Sequence, residues 1–299
     1  MSITTGISLE GLSICRSGNP ILKGVDLEIA SGEFVAIVGA NGSGKSTLLG
    51  ALLGQVSTES GDIRVDGKSI AGISDQERAS LFAWLPQESP VPEPILVQEL
   101  VAAARYHLDE PRPMALDQAR SALVESGAGE LANRWWNELS GGERQRVELA
   151  TLKAQCARVW LLDEPANHLD PVWRSRLLGE LEKRVVSGET VVVVIHDIRW
   201  LDELKQIKPR ILALADGRLV YDGPDPKELG EDWPTHIWGS TDLQSLSPET
   251  RSVSRQPWNL FHMLVWGLVT FLVGIASAWI GPALSGELGN EILWDLRVP

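Results

Sequence analysis

Two cysteines, Cys15 and Cys156, are all the chain has in 299 residues, too few for a disulfide framework, and they fit a reducing compartment. Basic charge is also short. Against 40 Asp and Glu stand 27 Lys and Arg, a formal net charge of −13, which excludes the broad cationic field that sequence-independent binding of nucleic acid requires. A local anion site stays open, because charges beyond a Debye length of ~8 Å are largely screened. No aromatic side chain precedes Phe34. No internal repeat is found. Met1 to Gly11 carries neither a basic start nor an apolar run, so no secretory signal is read and the first part is expected in the cytoplasm. An apolar share of 43% with 22% charged residues excludes a disordered or collagen-like chain.

From Met1 to about Gly230, short apolar runs alternate with amphipathic stretches, the pattern of an α/β domain. Strands are expected at Glu33–Val38, Val159–Leu162 and Thr190–Ile195, the last two apolar enough for a buried parallel sheet. Arg210–Leu214 and Arg218–Asp222, joined by Ala215-Asp216-Gly217, read as a hairpin. Helical periodicity covers Leu116–Gly127 and Pro171–Val186, the second introduced by an Asp170 N-cap and Pro171. Residues 85–94 hold four prolines and predict a stiff, extended loop.

Residues 231–257 are polar, rich in Ser, Thr and Pro, and read as a linker. Leu260 to Leu284 contains no Asp, Glu, Lys or Arg over 25 residues, enough to cross a hydrocarbon core of ~30 Å. Arg251 and Arg255 precede it, and Glu287, Glu291 and Asp295 follow, so one transmembrane helix at 258–284 is expected, with the amino-terminal domain inside and the tail at 285–299 outside.

Gly39-Ala-Asn41-Gly42-Ser43-Gly44-Lys45-Ser46 fits G-x-x-x-x-G-K-[ST] between a predicted strand and a predicted helix, where Thr47 also falls. Its glycines permit a tight loop whose amides converge on phosphate oxygens; Lys45 would neutralise the β/γ end, and Ser46 would hold Mg²⁺ at an anion-favouring helix start. Downstream, Val159-Trp-Leu-Leu-Asp163-Glu164-Pro165 is an apolar strand that delivers two carboxylates to its carboxyl end. Asp163 would complete the metal shell, and Glu164 would be the base for the water attacking the γ-phosphate.

Leu139-Ser140-Gly141-Gly142-Glu143-Arg144-Gln145 matches the signature motif of ABC-transporter ATPases, and over residues 7–230 the order of motifs resembles that family. The resemblance implies a P-loop ATPase domain at 1–230 with a helical subdomain at about 88–145. It gives Gln87 the metal-binding and partner-sensing place, Asn167-His168-Leu169-Asp170 the D-loop, with Asp170 among the nucleotide-binding residues, and His196 the γ-phosphate contact. It further implies a head-to-tail pair of domains, with ATP between the phosphate loop of one and Ser140, Gly141 and Gly142 of the other. For each of these short motifs a plainer reading stands beside it: an N-capped turn at Ser140, a hydrogen-bonded strand end at His196, a loop residue at Gln87. Where such ATPases stack adenine on an aromatic residue, this chain has Arg16, whose guanidinium plane can stack on a base or simply be solvated.

The stretch after Leu260, ending Ile292-Leu-Trp-Asp-Leu-Arg297-Val298-Pro299, resembles the first membrane helix and following segment of permeases that import iron–siderophores, haem and cobalamin. Together the resemblances imply an ATP- and Mg²⁺-dependent subunit of such an importer at the cell inner membrane. Its partners would be a second ATPase domain, permease subunits and an extracytoplasmic substrate-binding protein, with no nucleic acid. The alternatives are an ABC ATPase of another transporter class with an unrelated anchor, or a non-transport ABC ATPase.

Overall fold

Three tight turns, each a residue pair in the left-handed region, set up the antiparallel strands: Ser17-Gly18, Asp66-Gly67 and Asp216-Gly217. The computed structural model describes residues 6–87, 91, 94–166, 170–229, 234 and 237. The first turn joins β1 (Ile7–Arg16) to β2 (Asn19–Ile29). Then come β3 (Phe34–Val38), α1 (Lys45–Leu52), β4 (Ser60–Val65), β5 (Lys68–Ser69), α2 (Asp75–Leu81) and β6 (Phe82–Leu85). Helices α3 (Val97–Ala103), α4 (Arg112–Glu125) and α5 (Gly141–Gln155) follow. The chain returns through β7 (Val159–Asp163), α6 (Pro171–Val186), β8 (Thr190–Val194), β9 (Arg210–Ala215) and β10 (Arg218–Gly223).

The described residues form two compact units. The larger, built from residues 6–87 and 157–229, contains both sheets. Four strands pair antiparallel in the order β2-β1-β4-β5, and six run β10-β9-β3-β8-β7-β6, all parallel except the β9–β10 hairpin. Every residue of β3, β7 and β8 is buried, as a parallel sheet covered on both faces demands. Leu48, Leu49 and Leu52 of α1 share one core with Ile14 and Leu22 of the first sheet and Ile37, Val192 and Leu214 of the second.

The second unit, comprising Val91 and residues 94–156 among the described residues, is helical. Ala115, Ala119 and Ala122 of α4 pack with Leu100 and Val101 of α3 and Val147, Ala150 and Ala154 of α5, small side chains that let the helices approach closely. Helix α5 continues to Gln155, ten residues past 145. Helix α4 starts four residues ahead of the expected Leu116, because Pro113 lies in the first turn, where no intrahelical N–H is needed. The helix then ends before Gly127, whose φ is +65°.

Among the described residues no helix is long and apolar enough to cross a membrane. The expected linker (apart from Pro234 and Ile237), the span at 258–284, the tail at 285–299 and Asn167 to Leu169 lie outside the described residues.

Candidate active site

Sheet register brings four motifs to one edge. Ile37 of β3 and Asp163 of β7 both pair with Val194 of β8, and Leu162 pairs with Leu85 of β6. Gly39, His196, Glu164 and Gln87 each lie two residues beyond one of these paired positions, Glu164 being two beyond Leu162. Parallel strands therefore deliver all four from their carboxyl ends, where open α/β sheets bind ligands.

The loop after β3 is shaped by what glycine allows. At Gly39, with φ +151°, a Cβ would lie 2.2 Å from the Leu214 carbonyl oxygen and 2.7 Å from Ser43 Oγ. At Gly44, with φ +107°, it would lie 2.6 Å from Leu22 Cδ2, so strand β2 presses directly on the loop. Lys45 is buried, and its Nζ donates to the Gly39 and Ala40 carbonyls at 2.9 and 2.8 Å. Helix α1 starts at Gly44 with no side-chain cap and no acid in its first turn, which includes Ser46 and Thr47. Its first amides are thus offered to an outside acceptor at the positive end of the helix dipole. Asn41 is exposed on the rim of this loop, and Ser43 is buried.

Asp163 closes β7 and is buried. Burial pushes its carboxyl above the ordinary carboxylate range and the neighbouring Glu164 adds to this, while a hydrogen bond from Ser46 and the charges of Lys45 and His196 pull the other way. Asp163 Oδ1 and Ser43 Oγ are buried with no hydrogen-bond partner among the described residues. A buried, half-satisfied carboxylate bonded to a hydroxyl is a hard-oxygen donor set of the kind Mg²⁺ takes in phosphate sites, with substrate oxygens and waters filling the rest. No group of three or more His, Cys, Asp and Glu that could hold a metal occurs among the described residues.

Glu164 departs from the strand at φ +54°, a left-handed conformation uncommon outside glycine. Its N–H donates to the Val194 carbonyl at 3.1 Å, pinning the turn to β8. The side chain is 11% exposed. Gln87 Nε2 donates to Oε2 at 2.9 Å, and His196 Nε2 meets Oε1 at 2.5 Å. One carboxylate thus collects donors from the two neighbouring strand ends.

Within the helical unit, Ser140 caps α5. Its Oγ donates to Glu143 Oε2 at 2.7 Å and accepts from the Glu143 amide at 3.4 Å, and its own amide donates to Oε2 at 2.8 Å. These bonds, the backbone one first, hold the Glu143 carboxyl below its usual range. Arg134 takes the other oxygen at 2.9 Å. Gly141 and Gly142 are exposed, and a Cβ on either would meet nothing within 4 Å.

Two expected ligands are not drawn into these groupings. Asp170 Oδ1 accepts from the amides of Val172 and Trp173 at 2.9 and 3.0 Å, capping α6 as expected. Arg16 is the exposed last residue of β1, paired with Asn19. Not legible in the sequence are the Val194 carbonyl that fixes Glu164, the Gly39 and Ala40 carbonyls that hold Lys45, and the wall made by Leu22 and Leu214. Backbone acceptors leave no residue-type signal; the glycines opposite Leu22 and Leu214 were the trace of that wall.

The family model described as "ABC transporter" matches residues 22–167. The hemin import ATP-binding protein HmuV of Bordetella pertussis is 36% identical over 247 residues, covering 78% of this chain and 92% of that protein. HmuV of Streptomyces coelicolor is 38% identical over 221 residues, covering 73% and 78%. Among solved structures, a dimeric ATP-binding cassette in a post-hydrolysis state bound to ADP and Pi superposes with a TM-score of 0.65 at 27% identity, covering 73% of this chain and 98% of that one. An inward-facing metal-chelate type transporter does so at 0.65 and 25%, covering 78% and 88%. With the phosphate loop, the carboxylate pair and the signature helix in place, the chain belongs to the ABC transporter family as an ATP-binding, ATP-hydrolysing member.

Proposed function

We propose that this chain powers the import of a metal chelate, haem first, through a membrane permease. The observation that carries the cargo class is the 36% identity spanning 92% of a hemin import ATPase. The ATPase domain at 1–230 would work on the cytoplasmic side of the inner membrane, the segment at 258–284 would tie it to the membrane, and an extracytoplasmic binding protein would hand over cargo. The ending that resembles an importer permease supports the same class.

Each residue has a role that follows from its chemistry. Lys45 and the amides of Gly42, Gly44 and the start of α1 would neutralise the terminal phosphates of ATP. Ser46, Asp163 and Gln87 would hold Mg²⁺, which when bound draws charge off the phosphate oxygens. Glu164 would take the proton of the attacking water, and His196 would meet the γ-phosphate. In a head-to-tail pair, Ser140, Gly141 and Gly142 of the second copy would complete the charge stabilisation, with Arg16 beside the base and Asp170 at the junction.

The test is deletion of the chain in its host, followed by growth on haem as sole iron source. Growth should be lost, restored by the wild-type chain, and not restored by Glu164→Gln. Undiminished growth of the deletion strain on haem would overturn the cargo class.

A further inference from the structure

Helix α5 carries an acid, Glu143, in its first turn, where α1 has none. The Glu143 carboxyl is held below its usual range, first by the Ser140 amide and hydroxyl and then by Arg134 and Arg146, so it is ionised at neutral pH. An anion at that place stabilises the helix but repels a triphosphate brought to the same end. Ser140 takes up Oε2, and Arg134 Nη1 donates to Oε1 at 2.9 Å. The other fork nitrogen of Arg134 donates to the Glu138 carbonyl at 2.9 Å, and the Arg134 backbone carbonyl accepts from Val97 of α3 at 3.0 Å. The guanidinium is therefore fixed beside Glu143 by both its main chain and its fork. Arg146, the second nearby cation, is itself bonded to Glu130 and to the Gly127 carbonyl.

We propose that Arg134 is a positioning residue for hydrolysis: it takes up the charge of Glu143, so that a helix start carrying an acid can receive the γ-phosphate of the second copy's nucleotide. This rests on the proposed reading in which Ser140, Gly141 and Gly142 meet that nucleotide. The Ser140 hydroxyl already donates to Glu143, so the amides of Gly141 and Gly142 are the donors the motif has left to offer. Without Arg134, an uncompensated carboxylate within two residues of those amides would cancel much of their field. Glu143 thus caps the helix, and Arg134 removes the electrostatic penalty of that cap.

The experiment is Mg-ATP turnover by the purified full chain, with Arg134→Gln made in the wild-type and in a Glu143→Gln background. Turnover should fall about tenfold beside Glu143 and less than about twofold once Glu143→Gln has removed the charge. The first deficit should also shrink in about 1 M salt, where the screening length is ~3 Å. Arg134→Lys, which keeps the charge and loses the fork, should stay within about threefold of wild type, and tests the charge even if the neutral variant unfolds. Gly142→Asp tests the underlying reading separately. A Cβ there meets nothing within 4 Å and an acid in the first turn suits the helix, so the fold is kept while a charge faces the nucleotide. Turnover lost in Gly142→Asp but unchanged in Arg134→Gln overturns the role of Arg134 alone. So does an equal deficit in both backgrounds, or a tenfold loss in Arg134→Lys. Turnover retained in Gly142→Asp, or absent from wild type, overturns the reading and the proposal together.

Discussion

Helix α1 begins at a glycine in the left-handed region and has no side chain to accept its first-turn amides, whereas helix α5 begins at Ser140, whose hydroxyl closes a capping box with Glu143. Both starts carry glycine-rich motifs, and both would face phosphate in the proposed function. The first is incomplete without a ligand: no side chain caps it, and its neighbour Asp163 has a carboxylate oxygen with no partner among the described residues. The second is complete in itself, with Arg134 bracing Glu143 from outside. A cap contributes about 1 kcal/mol to a helix. Its absence at α1 gives up that stability for binding, while at α5 stability is secured locally and only the two glycine amides remain to be offered.

The largest way to break this comparison is Lys45→Ala. It removes the one buried cation at the open helix start and should cost about three orders of magnitude in ATP turnover, together with measurable nucleotide binding by calorimetry. Retained affinity would mean the loop amides suffice. Ser140→Ala sharpens the other side. Losing the cap should lower stability by about 1 kcal/mol in chemical denaturation and also slow turnover, whereas a variant that loses stability alone would leave Ser140 as a cap and nothing more.

A smaller effect tests the half-satisfied carboxylate. Asp163 has its native pKa raised by burial, so the native state holds its proton more tightly than the unfolded chain. That contribution to stability is fully present below the unfolded value and is lost as pH rises through the raised native value. Without nucleotide, Asp163→Asn should therefore melt above wild type at neutral pH and converge with it in acid. It should also lose the extra stabilisation that wild type gains from Mg-ATP over ATP alone. A lower melting temperature at neutral pH would contradict the burial argument.

Much of the site was legible in residue types, because phosphate and metal chemistry need particular side chains at particular strand ends. The strands that carry Glu164 and His196 were legible as apolar runs, whereas β6, which ends two residues before Gln87, was not expected. The antiparallel sheet β2-β1-β4-β5 was not read, although Ser17-Gly18 and Asp66-Gly67 carry the same turn signal as Asp216-Gly217, which was recognised from the strands flanking it. Strand β1 hides its alternation behind a bulge at Gly11, where its register with β2 shifts. Ser140 shows the limit of motif reading. Its hydroxyl serves the helix in this fold, and Ser-x-x-Glu was as good a capping-box signal as it was a signature.

The most direct measurement is single-turnover and steady-state hydrolysis of Mg-ATP by Glu164→Gln beside its ATP affinity. The account predicts affinity within about twofold of wild type and turnover reduced at least a hundredfold, because a neutral amide keeps the shape of the side chain but cannot take the water's proton. Hydrolysis near the wild-type rate would contradict it and remove Glu164 from the chemistry.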